Sequence, residues 1–397
     1  MEGGLQNQSA RRKANFSPPR GLRKEIRMKT VKRLWPFFVA VVFSILGPWS
    51  ELSASEVTYA GPPITIRYSS HVPESHMVVK TAFIPWVKWL EKESQGKLLV
   101  KTYFSGALHG PRDGFKACVN DITDYTHGYP IWQPASFDLN HAMNLPFAFP
   151  NAMVATMVGE ELYPRYFKRE YEKMGVYLAK YETTSTYHLL TKKPVRKLED
   201  LKGMKIRCPS GPFADCLKRL GATPIFLTTA DVYAGFQRGT VDGVILYDNG
   251  FVSFRLHEMG KYRTELALVI AGIPYCFNRK TFEALPPDLK RLLYNGLRRY
   301  AQIAAAAYEE EDLEARNIMK KAGIQTITLP PEEMKRWKVT VMPVWEEFVK
   351  KNEAKGLPAA QLVKDLKALS KKYEPWTSQQ FMKQVIEHPI HGIIDGM

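Results

Sequence analysis

Arg207 is the residue whose type and placement most directly suggest chemistry in this chain. The segment LEDLKGMKIRCPSGPFADCLKRLGATPIFLTTADVYAGFQRGTVDG, Leu198 to Gly243, sets it at the end of a short run, Met204 to Arg207, followed at once by Pro209, Ser210, Gly211 and Pro212. That punctuation predicts a strand running into a loop, with the guanidinium at the edge where open α/β sheets hold ligands. An arginine buried in a cleft carries a large desolvation penalty. A carboxylate gripped by both arms offsets it through two charge-assisted bonds, each worth about 1.5–3 kcal/mol net. The chemistry would then be recognition of an acid group. On these residues alone the side chain reads equally well as an ordinary surface arginine.

Other chemistry finds little support. The chain has no GxSxG elbow, no HExxH, no GxxxxGK[ST] and no GxGxxG after a strand, so no enzyme activity and no cofactor are expected. His71, His76, His127 and His141 are scattered and read as loop or core histidines rather than as metal ligands. Of the four cysteines, Cys118, Cys208, Cys216 and Cys276, only Cys208 and Cys216 are close in sequence. Their spacing is not a zinc pattern, and a bridge between them or four free buried thiols both remain open.

The elements that would position Arg207 follow from periodicity. After its strand come a helix from Phe213 to Leu220 stopped by Gly221, a strand from Pro224 to Leu227, a helix from about Thr228 to Gly239, and an apolar run from Val244 to Tyr247. This βαβαβ order predicts a parallel sheet flanked by helices. Upstream, strands over Ile64–Ser69, Leu98–Phe104 and Thr123–His127 alternate with helices over Met77–Glu93 and Arg112–Val119, so the same alternation builds a first lobe. Gly175 to Thr191 is long for one strand and suits a crossing between lobes, with a second crossing near Ala271 to Asn278. A long helix is expected over Asp288–Ala322, where Gly296 would let it flex, and helices over Pro331–Tyr373. Residues 374–397 read as a tail.

From Met28 the chain has a basic start, an apolar stretch over 34–47 and small residues near Ser53 to Ser55, the pattern of a cleaved signal peptide within a leader of 1–55. Up to Ser55 there are ten Lys or Arg against three Glu, so +7 of the formal +16 belongs to the leader and +9 stays with the mature chain. Those charges are scattered over helix faces and turns, and nucleic acid is excluded as a partner by export and by the lack of a basic-aromatic ribbon. With 397 residues, 45% hydrophobic and 24% charged, the chain suits one large two-lobed unit.

Several ordered phrases together resemble the solute-binding proteins of tripartite ATP-independent periplasmic (TRAP) transporters, the DctP-type family. They are WLEKESQGKLLVKTYFSGALHG, NLPFAF, LEDLKGMKIR, LGATPIFL, DVYAGFQRGTVDG and FEALPPDLKRLL, and the likeness runs from about Ile64 to Tyr373. The resemblance implies an α/β, two-lobed periplasmic-binding-protein fold, each lobe a mostly parallel sheet flanked by helices, with a long helix spanning both lobes. The lobes would be 62–184 plus 272–311 and 185–271 plus 312–373.

It also implies that Arg207 holds the carboxylate of a small organic acid, that the lobes close over it, and that a TRAP permease receives it in the periplasm. Where relatives that bind sialic acid or dicarboxylates tend to carry a second arginine, this chain has Tyr187. The asparagine common after the Asp-Gly turn falls on Leu246, and a polar or acidic position on Tyr129. Tyr129, Trp132, Tyr187, Phe213, Leu246 and Tyr247, with His71, make the candidate pocket, and its apolar and aromatic character points to an acid with an apolar or aromatic body, or one presenting a stackable sugar-like face, rather than a C4 dicarboxylate. A sensing module presenting the solute to a membrane kinase would use the same fold, and the exposed long helix leaves a homodimer open.

Overall fold

Alternation along the first strand already separates inside from outside. In β1 (Ile64–Ser69) Ile66 and Tyr68 point into the core, while Arg67 turns outward to grip Asp124 at 2.7–2.9 Å. The computed structural model describes residues 57–397; the leader, its signal peptide and their apolar core at 34–47 lie outside the described residues. β2 (Leu98–Tyr103) and β3 (Tyr125–His127) pair in parallel with β1 on its two sides. Between β1 and β2 the helix expected over Met77–Glu93 forms in two parts, a π turn Val79–Phe83 and an α-helix Ile84–Glu93. Pro85 sits at the junction: it has no N–H to return to the preceding turn, and the wider turn accommodates it.

The long segment after Gly175 is three strands rather than one: β4 (Val176–Lys180), β5 (Thr183–Thr186) and β6 (His188–Thr191). β7 (Lys205–Cys208), β8 (Thr223–Phe226) and β9 (Gly243–Leu246) follow in the expected βαβαβ order, then β10 (Tyr262–Glu265), β11 (Ile270–Gly272), β12 (Tyr275–Asn278) and, after the long helix, β13 (Gln325–Thr328). One sheet has the order β2-β1-β3-β12-β4, the second β13-β10-β6-β9-β7-β8, and β5 pairs with β11 in a short antiparallel ribbon.

Each sheet contains one strand reversed against its neighbours. These are β12, antiparallel to β3 and β4, and β6, antiparallel to β9 and β10. The reversed strand is in both cases the one that enters from the ribbon, because a chain arriving from the other sheet runs opposite to strands fed by helical crossovers. The remaining strands are parallel, so the fold is α/β with two mostly parallel sheets flanked by helices.

The helix Pro287–Lys321 spans the body and packs against helices Ile84–Glu93, Ala152–Leu162 and Asp248–Ser253. Gly296 has a packing role in it. A Cβ there would lie 2.5 Å from the Trp89 ring, and the Gly296 carbonyl accepts a 3.1 Å bond from Trp86 Nε1. Under the helix, Tyr68, Phe83, Trp86, Tyr125 and Tyr300 form an aromatic layer. Lys180 lies over the rings of Tyr275 and Tyr300, 4.2 and 3.7 Å from their centroids, and pairs with Glu182.

Residues 374–397, read from the sequence as a tail, instead form a capped helix Ser378–Glu387 whose Phe381 and Val385 are buried. Tyr294 of the long helix donates to the Ile390 carbonyl at 2.5 Å. Four apolar side chains spaced along the segment, Phe381, Val385, Ile393 and Ile394, supply the burial that holds it. All four cysteines are free and buried, so Cys208 and Cys216 are not bridged.

Candidate functional site

β7 is an interior strand. Arg207 stands opposite Ile225 of β8 on one side and Val244 of β9 on the other, and its side chain is fully buried. Its Nε–H donates to the Leu227 carbonyl at 2.8 Å, which fixes the plane of the guanidinium. Both terminal nitrogens, Nη1 and Nη2, are buried with no partner among the described residues. Burial pulls the guanidinium pKa below its usual value, yet an arginine remains a cation in this range. A buried cation with two free donors and no carboxylate bonded to it is costly in the folded protein by itself, and is what an anionic guest would relieve.

Arg207 lines a cavity between the two sheets. Its wall includes His71, Tyr129 and Trp132 from the first half, and Arg207, Leu246 and Tyr247 from the second. Tyr187, also in the wall, lies at the break between β5 and β6, where its N–H donates to Val269 O at 2.8 Å and its carbonyl accepts from Leu268 N–H. Phe213 is the one member of the expected pocket set outside this wall; it backs it, its ring 5.1 Å from that of Tyr187.

Sequence reading missed Thr184, Thr229, Ile273 and Tyr308, which also line the space. Thr184 and Ile273 belong to the two crossings, where a pocket position was legible only as "between lobes". Tyr308 comes from the middle of the long helix and carried no signal distinguishing it from a core tyrosine.

The polar groups around the cavity are unevenly matched. Trp132 Nε1 and Thr229 Oγ1, like the arms of Arg207, are buried without partners among the described residues. The Trp132 ring lies 5.9 Å from the guanidinium carbon. His76 Nε2 and the Tyr247 hydroxyl are 3.3 Å apart, and His71 Nδ1 lies 3.4 Å from His127 Nδ1. Burial pushes both His71 and His76 down to about 3, so both are neutral. The arrangement offers one fixed positive charge, several unused donors and an aromatic wall, which suits a single carboxylate on an apolar body.

The cavity is small, about 30 Å³, room for about two waters. A larger space of about 450 Å³ lies behind the 208–212 loop, where most of the charged lining groups are paired, Lys218 with Asp215 at 3.9 Å, Glu347 with Arg219 and Asp138 with Lys355 at 2.6 Å. The loop itself is held across the cleft: Ser210 Oγ donates to Ile131 O at 2.6 Å, and Gly211, with φ +74°, packs against the His141 ring. Among the described residues no group of three or more His, Cys, Asp or Glu side chains is placed to hold a metal ion. No helix of the described residues is long and apolar enough to cross a membrane.

Residues 68–352 match the family model of DctP, bacterial extracellular solute-binding protein, family 7. A solute-binding protein of Albidiferax ferrireducens is 31% identical over 175 residues, which is 43% of this chain and 52% of that protein, so this match spans about half the length of the relative. A TRAP solute-binding protein from Rhodoferax ferrireducens, solved with copurified benzoate, superposes with a TM-score of 0.75 at 22% identity, covering 78% of this chain and 98% of that one. A TRAP periplasmic solute-binding protein from Bordetella bronchiseptica, solved with (R)- and (S)-mandelate, superposes with a TM-score of 0.73 at 24% identity, covering 78% and 99%.

Proposed function

Because the chain belongs to DctP, family 7 of the bacterial extracellular solute-binding proteins, we propose that it is a TRAP-transporter receptor that binds a small monocarboxylic acid with an apolar or aromatic body in the cavity at Arg207. The observation that carries this reading is the pair of buried, unpartnered terminal nitrogens on a guanidinium whose Nε is already tied to Leu227. Two parallel bonds to one carboxylate would satisfy both. Tyr187, Leu246 and Tyr129 provide no second cation for a second carboxylate. The benzoate and mandelate of the two superposed proteins are acids of the proposed class.

In this reading the halves 62–184 with 272–311 and 185–271 with 312–373 act as lobes about the β5–β11 ribbon. A cavity of about 30 Å³ is the closed form, and an aromatic acid enters when the lobes part. Closure excludes water and strengthens the ion pair. The loaded receptor is then read by a TRAP permease driven by an ion gradient, and export by a cleaved leader places it in the periplasm.

Titration calorimetry with benzoate, acetate and succinate tests the ligand class. Benzoate should bind with the highest affinity; tight binding of succinate with none of either monocarboxylate refutes it.

A further inference from the structure

We infer that His71 presents a bare ring nitrogen to the cavity and so selects, among monocarboxylates, those whose body carries a hydroxyl group. This rests on the acid-binding role proposed for the cavity. The argument starts one residue away from the pocket. His127 Nε2 lies 2.9 Å from the Pro111 carbonyl, which only accepts, so the proton of His127 is on Nε2. Burial holds His127 far below its usual pKa, so it is neutral and its Nδ1 is a bare acceptor.

Two groups approach that Nδ1, both at 3.4 Å: Thr126 Oγ1 and His71 Nδ1. The Thr126 hydroxyl is directed to the Ser69 carbonyl at 2.7 Å, so it has no proton for the ring. The donor to His127 is therefore His71 Nδ1–H. His71 is itself neutral, since burial pushes it down to about 3. Its second nitrogen, Nε2, is then an acceptor, it bonds no described residue, and the ring lines the cavity.

The chain Pro111 O, His127, His71 thus passes one tautomer inward through two rings. The consequence is a division of labour in the cavity. Arg207, Trp132 and Thr229 bring unpartnered donors suited to the carboxylate, whereas His71 brings an acceptor that only a donor on the ligand can satisfy. A site that hydrogen-bonds a hydroxyl discriminates against the analogue lacking it, because the protein group is left unpaired.

The test uses matched pairs, mandelate against phenylacetate and 3-hydroxybenzoate against benzoate, titrated calorimetrically into the wild-type protein and into His71→Phe. At least one pair should favour the hydroxylated member by about tenfold or more in the wild type, and the ratio should fall to within about twofold in the variant. Equal affinity within both pairs, or a ratio that survives His71→Phe, overturns the inference while leaving the acid-binding reading standing. Failure of all four acids to bind refutes the acid-binding reading itself. Independently of any ligand and of the variant's folding, long-range ¹H–¹⁵N spectra of the wild-type histidines should show His71 protonated on Nδ1 and His127 on Nε2. A proton on His71 Nε2 overturns the inference.

Discussion

The Leu227 carbonyl accepts the Nε–H of Arg207 at 2.8 Å, and this bond decides what the arginine can do. It fixes the plane of a guanidinium that lines the cavity and whose two terminal nitrogens bond no described residue. The orienting group is a backbone carbonyl at the end of the next parallel strand rather than an acid, so orientation is obtained without neutralising the charge.

Replacing Arg207 by Met should therefore separate stability from binding. The affinity for a monocarboxylate is expected to fall by about 10²–10⁴-fold, from the loss of two charge-assisted bonds of about 1.5–3 kcal/mol each. The melting temperature of the ligand-free protein should stay level or rise, because an unpaired buried cation is removed. Calorimetry and differential scanning measure the two; retained affinity removes Arg207 from the site.

Gly296→Ala tests the packing under the long helix. Helix propensity alone favours alanine by about 1 kcal/mol, but its Cβ would press on the Trp89 ring at 2.5 Å. Overpacking of this kind costs about 1–3 kcal/mol, so urea unfolding should show a net loss of stability. A gain would mean that the indole yields freely.

Acid should weaken the fold between pH 6.5 and about 4. Burial lowers His71 and His76 to about 3 and His141 and His188 to about 4, against 6.5 for the unfolded chain. Protons thus bind the unfolded state first; the stabilisation is complete above pH 6.5 and is lost as the pH falls, by up to about 1.4 kcal/mol per unit for each group. Glu160 and Asp312, raised to about 7 by burial, act in the opposite sense, gaining stability as they protonate. His127 is a fifth lowered histidine, and the other buried carboxylates, Glu170, Glu309, Glu310 and Glu311, are raised by less than Glu160 and Asp312, so the melting temperature should drop from pH 6.5 to pH 5. A flat or rising profile contradicts this assignment of burial.

The thiols give a simpler check. Native protein should take up no thiol reagent, and unfolded protein four equivalents without reductant, since Cys118, Cys208, Cys216 and Cys276 are buried and unbridged. Two equivalents after unfolding would indicate a disulfide.

Much of this architecture was legible because its signals are local. Periodicity and turn residues set the helices and strands on both sides of Arg207, and Pro209 to Pro212 marked the end of its strand. The long helix was readable from its length and its proline start, and the crossings from an uninterrupted extended segment. The tail was not: Phe381, Val385, Ile393 and Ile394 become meaningful only when the long helix and its neighbours offer a surface to cover.

By itself the sequence determined the alternation of elements, the two passages between sheets, and an arginine at a strand end beside aromatic residues, because each depends on neighbours along the chain. Only the tertiary structure decided that Arg207 is buried without an acidic partner, that Phe213 stands behind the wall while Tyr308 is in it, and that His127 fixes the proton of His71. Those properties depend on which backbone carbonyls and rings come within about 3 Å of one another, a distance set by the packing of segments remote in sequence.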